Sequence, residues 1–506
     1  MTESDKLQRA RALWQAHHFE ESCRLFAEAA DDPAASAEAL TDAARALGHR
    51  YEITRAEGYL ARLGSLPGNS RDRALLTAQT LRMIHREEQA IALLTESLKV
   101  RAHGSAPAWL ELAVLLERRH RAAEASEAVE AALKLSPNLM EGLIIKARLC
   151  RRSGEDSRAE SLLRRVTRHA AAHPFTRAQA WAALASLADA AGDYAGAVAR
   201  MEECKKILRP LAGQAEQHSR TVLGHLEKMG RELTAEDFRR WQGGVPETPA
   251  RVAQLTGFPR SGTTLLENIL DAHPDLMASE EREVFSRDIL SRLWREPDAP
   301  VPPSIAAFDA IPPEKRRRLR ADYLQAMEEA AGEPLGGRLH LDKNPTHTLF
   351  IPAIVRLFPE TKFLIALRDP RDVIVSCWMQ FLPLNPSSVS YLSWETAARR
   401  YELDFSLWRQ WREQLAAESW LEVRYEDVVA DMERGARRAL DFLGLPWDPA
   451  LLSYRARLSG KTVHSPTYLD VAKPIHAQAV GRWKNYLPWL EPQLERLRPF
   501  VEAFGY

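Results

Sequence analysis

Cysteine, net charge and long apolar runs are all scarce in this 506-residue chain. The four cysteines (Cys23, Cys150, Cys204 and Cys377) lie far apart without metal-ligand spacing, which excludes a disulfide framework and fits a reducing compartment. Lys+Arg and Asp+Glu balance at 69 each, so no global charge points to a nucleic-acid partner, and no acidic or basic tail stands out. No stretch approaches the ~18 consecutive apolar residues of a membrane span. The charged opening MTESDKLQRA has no apolar signal core. The expectation is a cytoplasmic protein of roughly two to four domains, with 45% hydrophobic and 27% charged residues for core and surface.

Strands are missing from the first 205 residues as well. Short apolar-periodic helices alternate with polar turns. The small residue that opens each second helix recurs as Ser22, Ala56, Ala90, Ala125, Ala159 and Ala197, with gaps of 34, 34, 35, 34 and 38. Small side chains there let two helices of a hairpin approach closely. A period of about 34 is that of the tetratricopeptide repeat, and residues 1–205 resemble about six of them in an α-solenoid. From 206 to 248 the repeat fades into a polar helical linker ending in QGGVPETPA. From 249 to 506 short apolar strands precede helices (RVAQLTGF, KFLIALRD, WLEVRYED), which predicts an α/β domain with a central parallel sheet.

The loop GFPRSGTT, Gly257–Thr264, falls between the first such strand and its helix. It has the glycine spacing of a phosphate-binding P-loop, yet Thr263 stands where the lysine belongs. Backbone N–H groups at a helix start still face an anion there, and Arg260 adds a fork of donors. About a hundred residues on, the strand Lys362–Leu367 delivers Arg368 at its C-terminal end, and Ser376 sits on the next helix. An arginine and a serine converging at such a rim suit a second phosphate.

The runs TGFPRSGTTLLENILDAHPD, LDKNPTHTLFIPAIVRLFPETKFLIALRDPRDVIVSCW, VRYEDVVADMERGARRALDFLGLPW and KPIHAQAVGRW occur in order along the domain. Together they resemble the sulfotransferases that use 3′-phosphoadenosine 5′-phosphosulfate (PAPS), above all the tyrosylprotein sulfotransferases and bacterial tetratricopeptide-repeat sulfotransferases. The resemblance implies that Arg260, Ser261, Gly262, Thr263 and Thr264 hold the 5′-phosphosulfate without a metal, and that Arg368 and Ser376 hold the 3′-phosphate. It also brings Tyr425 near the adenosine, Arg482 to the 3′-phosphate and Thr467 to the same loop. Glu281, the second acid of a pair with Glu280, is the implied base, and Lys343 meets charge on the bridging oxygen, with Arg260 assisting. His273 ranks second to Glu281 as a base. Glu283 departs from the tyrosylprotein pattern, which has an arginine there for acidic peptides.

The acceptor stays open among peptide tyrosine, saccharide, lipid-linked glycan and phenolic metabolite. The repeats are expected to bind a protein acceptor or partner, and a homodimer is allowed. Two other readings compete. One is a P-loop kinase, disfavoured by Thr263 and by the lack of an apolar strand ending in an acidic residue. The other is a repeat scaffold with an inactive domain, against which the joint presence of Arg260, Glu281, Lys343, Arg368 and Ser376 argues.

Overall fold

Up to Leu208 the described residues form twelve helices in six consecutive pairs: α1 (Glu3–Gln15) with α2 (Phe19–Ala30), α3 (Ala37–His49) with α4 (Ile53–Ser65), α5 (Ser70–Met83) with α6 (Glu87–Lys99), α7 (Ala106–Arg118) with α8 (Ala122–Leu135), α9 (Met140–Arg152) with α10 (Asp156–Arg168), and α11 (Pro174–Ala190) with α12 (Tyr194–Leu208). Each of the six small residues is the fourth of the second helix in its pair, and each is fully buried. Ser22 keeps its hydroxyl satisfied by donating to the Ala10 carbonyl on α1 at 2.7 Å. The turns repeat too. Tyr51, His85, His120, Gly154 and Gly192 all take left-handed φ values. The residue after each donates its N–H to a carbonyl five positions back, as Glu52 does to Leu47 and Asp193 to Ala188, so the first helices of these five pairs end in the same C-cap.

The computed structural model describes the chain apart from residues 1, 17, 68–69, 101–103, 295–303, 459–474 and 476. The chain divides into two compact units, Met1–Leu162 with Tyr323–Pro334, and Leu163–Asp322 with Leu335–Tyr506. The expected arm of 1–205 is thus shared: α11 and α12 lie in the second unit. Tyr323–Pro334, from inside the expected 249–506 domain, lies in the first, where the Thr54 N–H and the Arg86 guanidinium both donate to Glu329. Residues 206–248, expected as a linker, hold α13 (Gly213–Glu232) and α14 (Ala235–Gln242) within the second unit. Their apolar face explains this, since Leu226, Met229, Phe238 and Trp241 are buried. The Trp411 indole donates to the Gly230 carbonyl at 3.1 Å, and that of Trp241 to Asp309 at 2.8 Å.

The second unit is built on a five-stranded, all-parallel sheet among the described residues. Its strands are β1 (Val252–Gly257), β2 (Leu276–Ala278), β3 (Leu339–Lys343), β4 (Lys362–Leu367) and β5 (Trp420–Arg424), in the order β2-β3-β1-β4-β5. β1, β4 and β5 match the three strands read from the sequence. β2 and β3 were not foreseen. β2 is only three residues long, and β3 (LHLDK) carries polar side chains although all five of its residues are buried. Because chain order reverses at β1, a crevice opens at its C-terminal end between β3 and β4.

Lys205 on α12 is 2% exposed and donates to the Gln380 carbonyl at 2.8 Å. Burial lowers its ammonium from 10.5 to about 8. The unfolded chain therefore binds more protons than the folded one between pH 8 and 10.5, and stability rises with pH across that window. Since each tenfold change in proton affinity is worth about 1.4 kcal/mol, the charge costs on the order of 3 kcal/mol below pH 8. Thermal unfolding followed from pH 7 to 10.5 should rise less for Lys205→Met than for the unaltered protein. Identical profiles would show that Lys205 is not the titrating group.

Candidate active site

All five strands deliver side chains to their C-terminal side. The chain leaving β1 turns through Phe258–Gly262 and enters α15 (Thr263–Leu270). Two glycines make this turn possible. Gly257 has φ 151°, and a Cβ there would lie 2.4 Å from the Ala366 carbonyl oxygen on β4. Gly262 has φ 90°, and its Cβ would lie 2.5 Å from the Tyr425 ring. Thr348 braces the start of the loop, accepting the Gly257 N–H at 3.1 Å. Arg260 itself takes φ 75°, a strained value for a side chain of its size.

A cavity of about 700 Å³ opens over this loop. Arg260, Gly262, Thr263 and Thr264 line it from β1 and α15, as do Arg368 after β4, Tyr425 after β5, and Ser376 on α16 (Pro370–Trp378). These groups form one network. The Arg260 Nε donates to Ser376 Oγ at 3.0 Å, and Arg368 donates to the Arg260 carbonyl at 3.0 Å and to the Ala479 carbonyl at 2.5 Å. The Arg368 guanidinium also lies 5.0 Å from the centre of the Tyr425 ring, within cation–π range. Arg368 Nε is buried without a hydrogen-bond partner, and so is the Oγ of Ser261, which alone of Arg260–Thr264 does not line the cavity. Such orphaned donors are costly unless a ligand satisfies them.

Arg482 reaches the same cavity from the segment Arg482–Tyr486. Asp372 on α16 fixes the backbone of that segment, accepting the N–H groups of Gly481 and Trp483 at 2.7 Å each. Thr467 lies outside the described residues.

Opposite the loop, Glu281 lines the cavity after β2, whereas Glu280 is buried and does not. Lys343, at the end of β3, is buried behind Glu281: its Nζ lies 2.9 Å from Glu281 Oε1 and 3.2 Å from Glu267 Oε2 on α15. Burial alone would push this ammonium down, but Glu267 and Glu281 hold it well above its ordinary value. Glu267 was missed in the sequence, where a lone acid in the apolar run TTLLENIL was its only signal. Glu283 pairs with Arg287 one turn on, and both line the cavity.

His273 and Asp342 do not line the cavity. His273 is not a base: its Nδ1 accepts the Asp275 N–H at 3.0 Å and its Nε2 donates to the Pro446 carbonyl at 2.8 Å, so both nitrogens are used in packing. Asp342 stands next to last in β3, the polar strand LHLDK that ends in Lys343, and lies beside β1. Successive residues of a strand face opposite sides, so Asp342 turns away from Lys343. It accepts from Gln254 Nε2 at 3.1 Å and faces His347 in the core. Thr263 in the lysine position and the absence, among the described residues, of an apolar strand ending in an acidic residue both argue against a kinase.

Among the described residues no group of three or more His, Cys, Asp or Glu is placed to hold a metal ion, and no helix is long and apolar enough to cross a membrane.

Residues 254–449 match the model of the sulfotransferase family. A protein-tyrosine sulfotransferase of Drosophila melanogaster is 26% identical over 262 residues, covering 50% of this chain and 51% of the relative. Protein-tyrosine sulfotransferase 1 of Danio rerio is 25% identical over 279 residues, covering 50% of this chain and 71% of the relative. The chain thus spans about half the length of the Drosophila protein. Among solved structures, the sulfotransferase domain of the Synechococcus olefin synthase is 22% identical with a TM-score of 0.35, covering 52% of this chain and 97% of that one.

The buried triad can be tested for its charge balance. Lys343→Met should destabilise the protein by about 3–5 kcal/mol, because Glu267 is left buried without its cation. The pair Lys343→Met with Glu267→Gln should recover part of that loss in thermal or urea unfolding. A double variant no more stable than Lys343→Met would show that the two charges do not depend on each other.

Proposed function

We propose that the sulfotransferase-family domain carried by residues 254–449 moves a sulfuryl group from PAPS to a hydroxyl acceptor. The observation that carries this reading is the network of Arg260, Ser376, Arg368 and Tyr425 that lines the cavity at a helix N-terminus, with Arg368 Nε buried and without a hydrogen-bond partner. A bisphosphorylated nucleotide supplies acceptors for such a cluster of donors. The loop and the start of α15 hold its 5′ end, Arg368 and Ser376 its 3′-phosphate, and the Tyr425 face its base side. A sulfuryl group carries one charge fewer than a terminal phosphate, which suits a loop with Thr263 in the lysine position and no metal requirement.

In the transfer step the acceptor oxygen attacks sulfur in line, and the bond from sulfur to the bridging oxygen of PAPS breaks. The acceptor proton passes to Glu281, and 3′,5′-adenosine bisphosphate leaves. Glu281 is the acid of the pair that lines the cavity, which supports it over Glu280. Proton uptake neutralises Glu281 and loosens its hold on Lys343. The ammonium is then freed, in the same step, to meet the charge on the bridging oxygen. The acceptor side is walled by Phe350, Leu382, Pro383 and Tyr391, an apolar lining that fits an aromatic hydroxyl such as a peptide tyrosine. The names of the relatives point the same way. We assign the helix pairs of the first unit to recruiting a protein acceptor, in the manner of tetratricopeptide repeats.

The protein should bind the bisphosphate equally well with and without a chelator. Arg368→Ala should weaken the bisphosphate at least about tenfold more than AMP, since a charge-assisted contact is worth about 1.5–3 kcal/mol. Titration calorimetry reads both, and equal losses for the two nucleotides or a strict magnesium requirement would refute the assignment.

Glu281→Gln should slow turnover with labelled PAPS by about 10²–10⁴-fold, the usual contribution of a general base, with donor affinity nearly unchanged. An active Glu281→Gln beside a dead Glu280→Gln would transfer the role to the other acid.

A further inference from the structure

We propose that Asp189, at the end of α11, is a positioning residue of the donor site: it sets the guanidinium of Arg482, so the α11–α12 helix pair is a working part of the catalytic unit. This rests on the proposed function. Asp189 Oδ2 lies 2.9 Å from Arg482 Nη2, while its other oxygen accepts the Tyr486 hydroxyl. Both carboxylate oxygens are therefore spent on one short segment, Arg482–Tyr486, whose arginine lines the cavity.

Burial would lower the Arg482 guanidinium, and Asp189 holds it above its ordinary value. Asp189 and the Tyr486 hydroxyl are both met by Nη2, so the Nε and Nη1 side of the planar fork is left for an anion in the cavity. Two carboxylates thus divide the work. Asp372 grips the backbone on either side of Arg482 from α16, and Asp189 grips the tip of its side chain from the helix pair.

The helix pair is itself well anchored, which a positioning role requires. Tyr194 at the start of α12 packs edge-on against the Tyr486 ring at 5.5 Å, and Lys205 and Arg209 donate to the Gln380 and Leu392 carbonyls. A cut at residue 205, where the repeat ends in the sequence, would remove Asp189, Tyr194 and Lys205 together with their contacts. It could not separate recruitment from catalysis.

The test uses the full chain and titrates 3′,5′-adenosine bisphosphate and AMP in parallel against Asp189→Ala, Asp189→Asn, Arg482→Ala and the double variant Asp189→Ala with Arg482→Ala. Asp189→Asn keeps the size and the acceptor for Tyr486 but removes the charge, and it guards against simple misfolding. The expected result is that both Asp189 variants lose about tenfold for the bisphosphate, the scale of a charge-assisted hydrogen bond, and less than about twofold for AMP. The double variant should bind no more weakly than Arg482→Ala, because Asp189 acts through that arginine. A role in stability alone would lower both nucleotides together. Bisphosphate binding as tight as in the unaltered protein, equal losses for both nucleotides, or additive losses in the double variant would each overturn the inference while leaving the proposed function standing. Failure of the unaltered protein to bind the bisphosphate would overturn both.

Discussion

Between β3 and β4 the chain leaving β1 has room for backbone and little else. Gly257 passes so close to Ala366 that no Cβ fits, and Gly262 so close to the Tyr425 ring that a side chain would displace it. This tight passage turns the loop back over the sheet, starts α15 and aims its first N–H groups into the crevice. The other site elements are arranged about that turn: Arg368 caps it from β4, Tyr425 covers it from β5, and Ser376 holds Arg260 from α16. The strain at Arg260 is borne because the sheet on both sides leaves the loop no other path.

Charge in the site is organised in layers. The cavity wall facing the loop is cationic, with Arg260, Arg368 and Arg482 all lining it. Each is already committed on one side, to Ser376, to backbone carbonyls or to Asp189, which fixes direction without using up every donor. Across the cavity the order inverts. Glu281 faces the space and Lys343 lies buried behind it, backed by Glu267. A carboxylate in front of a buried ammonium can accept a proton and release a cation in one event, which suits a step that moves a proton and a negative charge in opposite directions.

The last helix pair shows how a repeat can be drawn into a neighbouring α/β unit. α11 and α12 have the same turn, the same buried fourth residue and the same C-cap as the four pairs before them. What differs is that Asp189, Tyr194 and Lys205 are spent on the segments that follow the repeats in the second unit. Repeat period alone does not mark where the second unit begins.

The sequence by itself determined what is local. Close helix packing imposes small residues at a fixed position, so a spacing of about 34 was readable as helix pairs. A strand followed by a glycine-bounded loop and a helix was readable as an anion site, and Arg368 and Ser376 followed from strand–helix spacing. Only the tertiary structure decided what depends on distant segments meeting. β2 and β3 are defined by their neighbours rather than their own pattern. Alternation along β3 sends Lys343 to Glu281 and Asp342 into the core, and chain reversal puts His273 under Pro446 instead of in the cavity. The pairing of Asp189 with Arg482, nearly three hundred residues apart, left no trace in composition or spacing. A carboxylate at a helix end looks the same whether it meets water or an arginine, and only the fold brings that arginine to it.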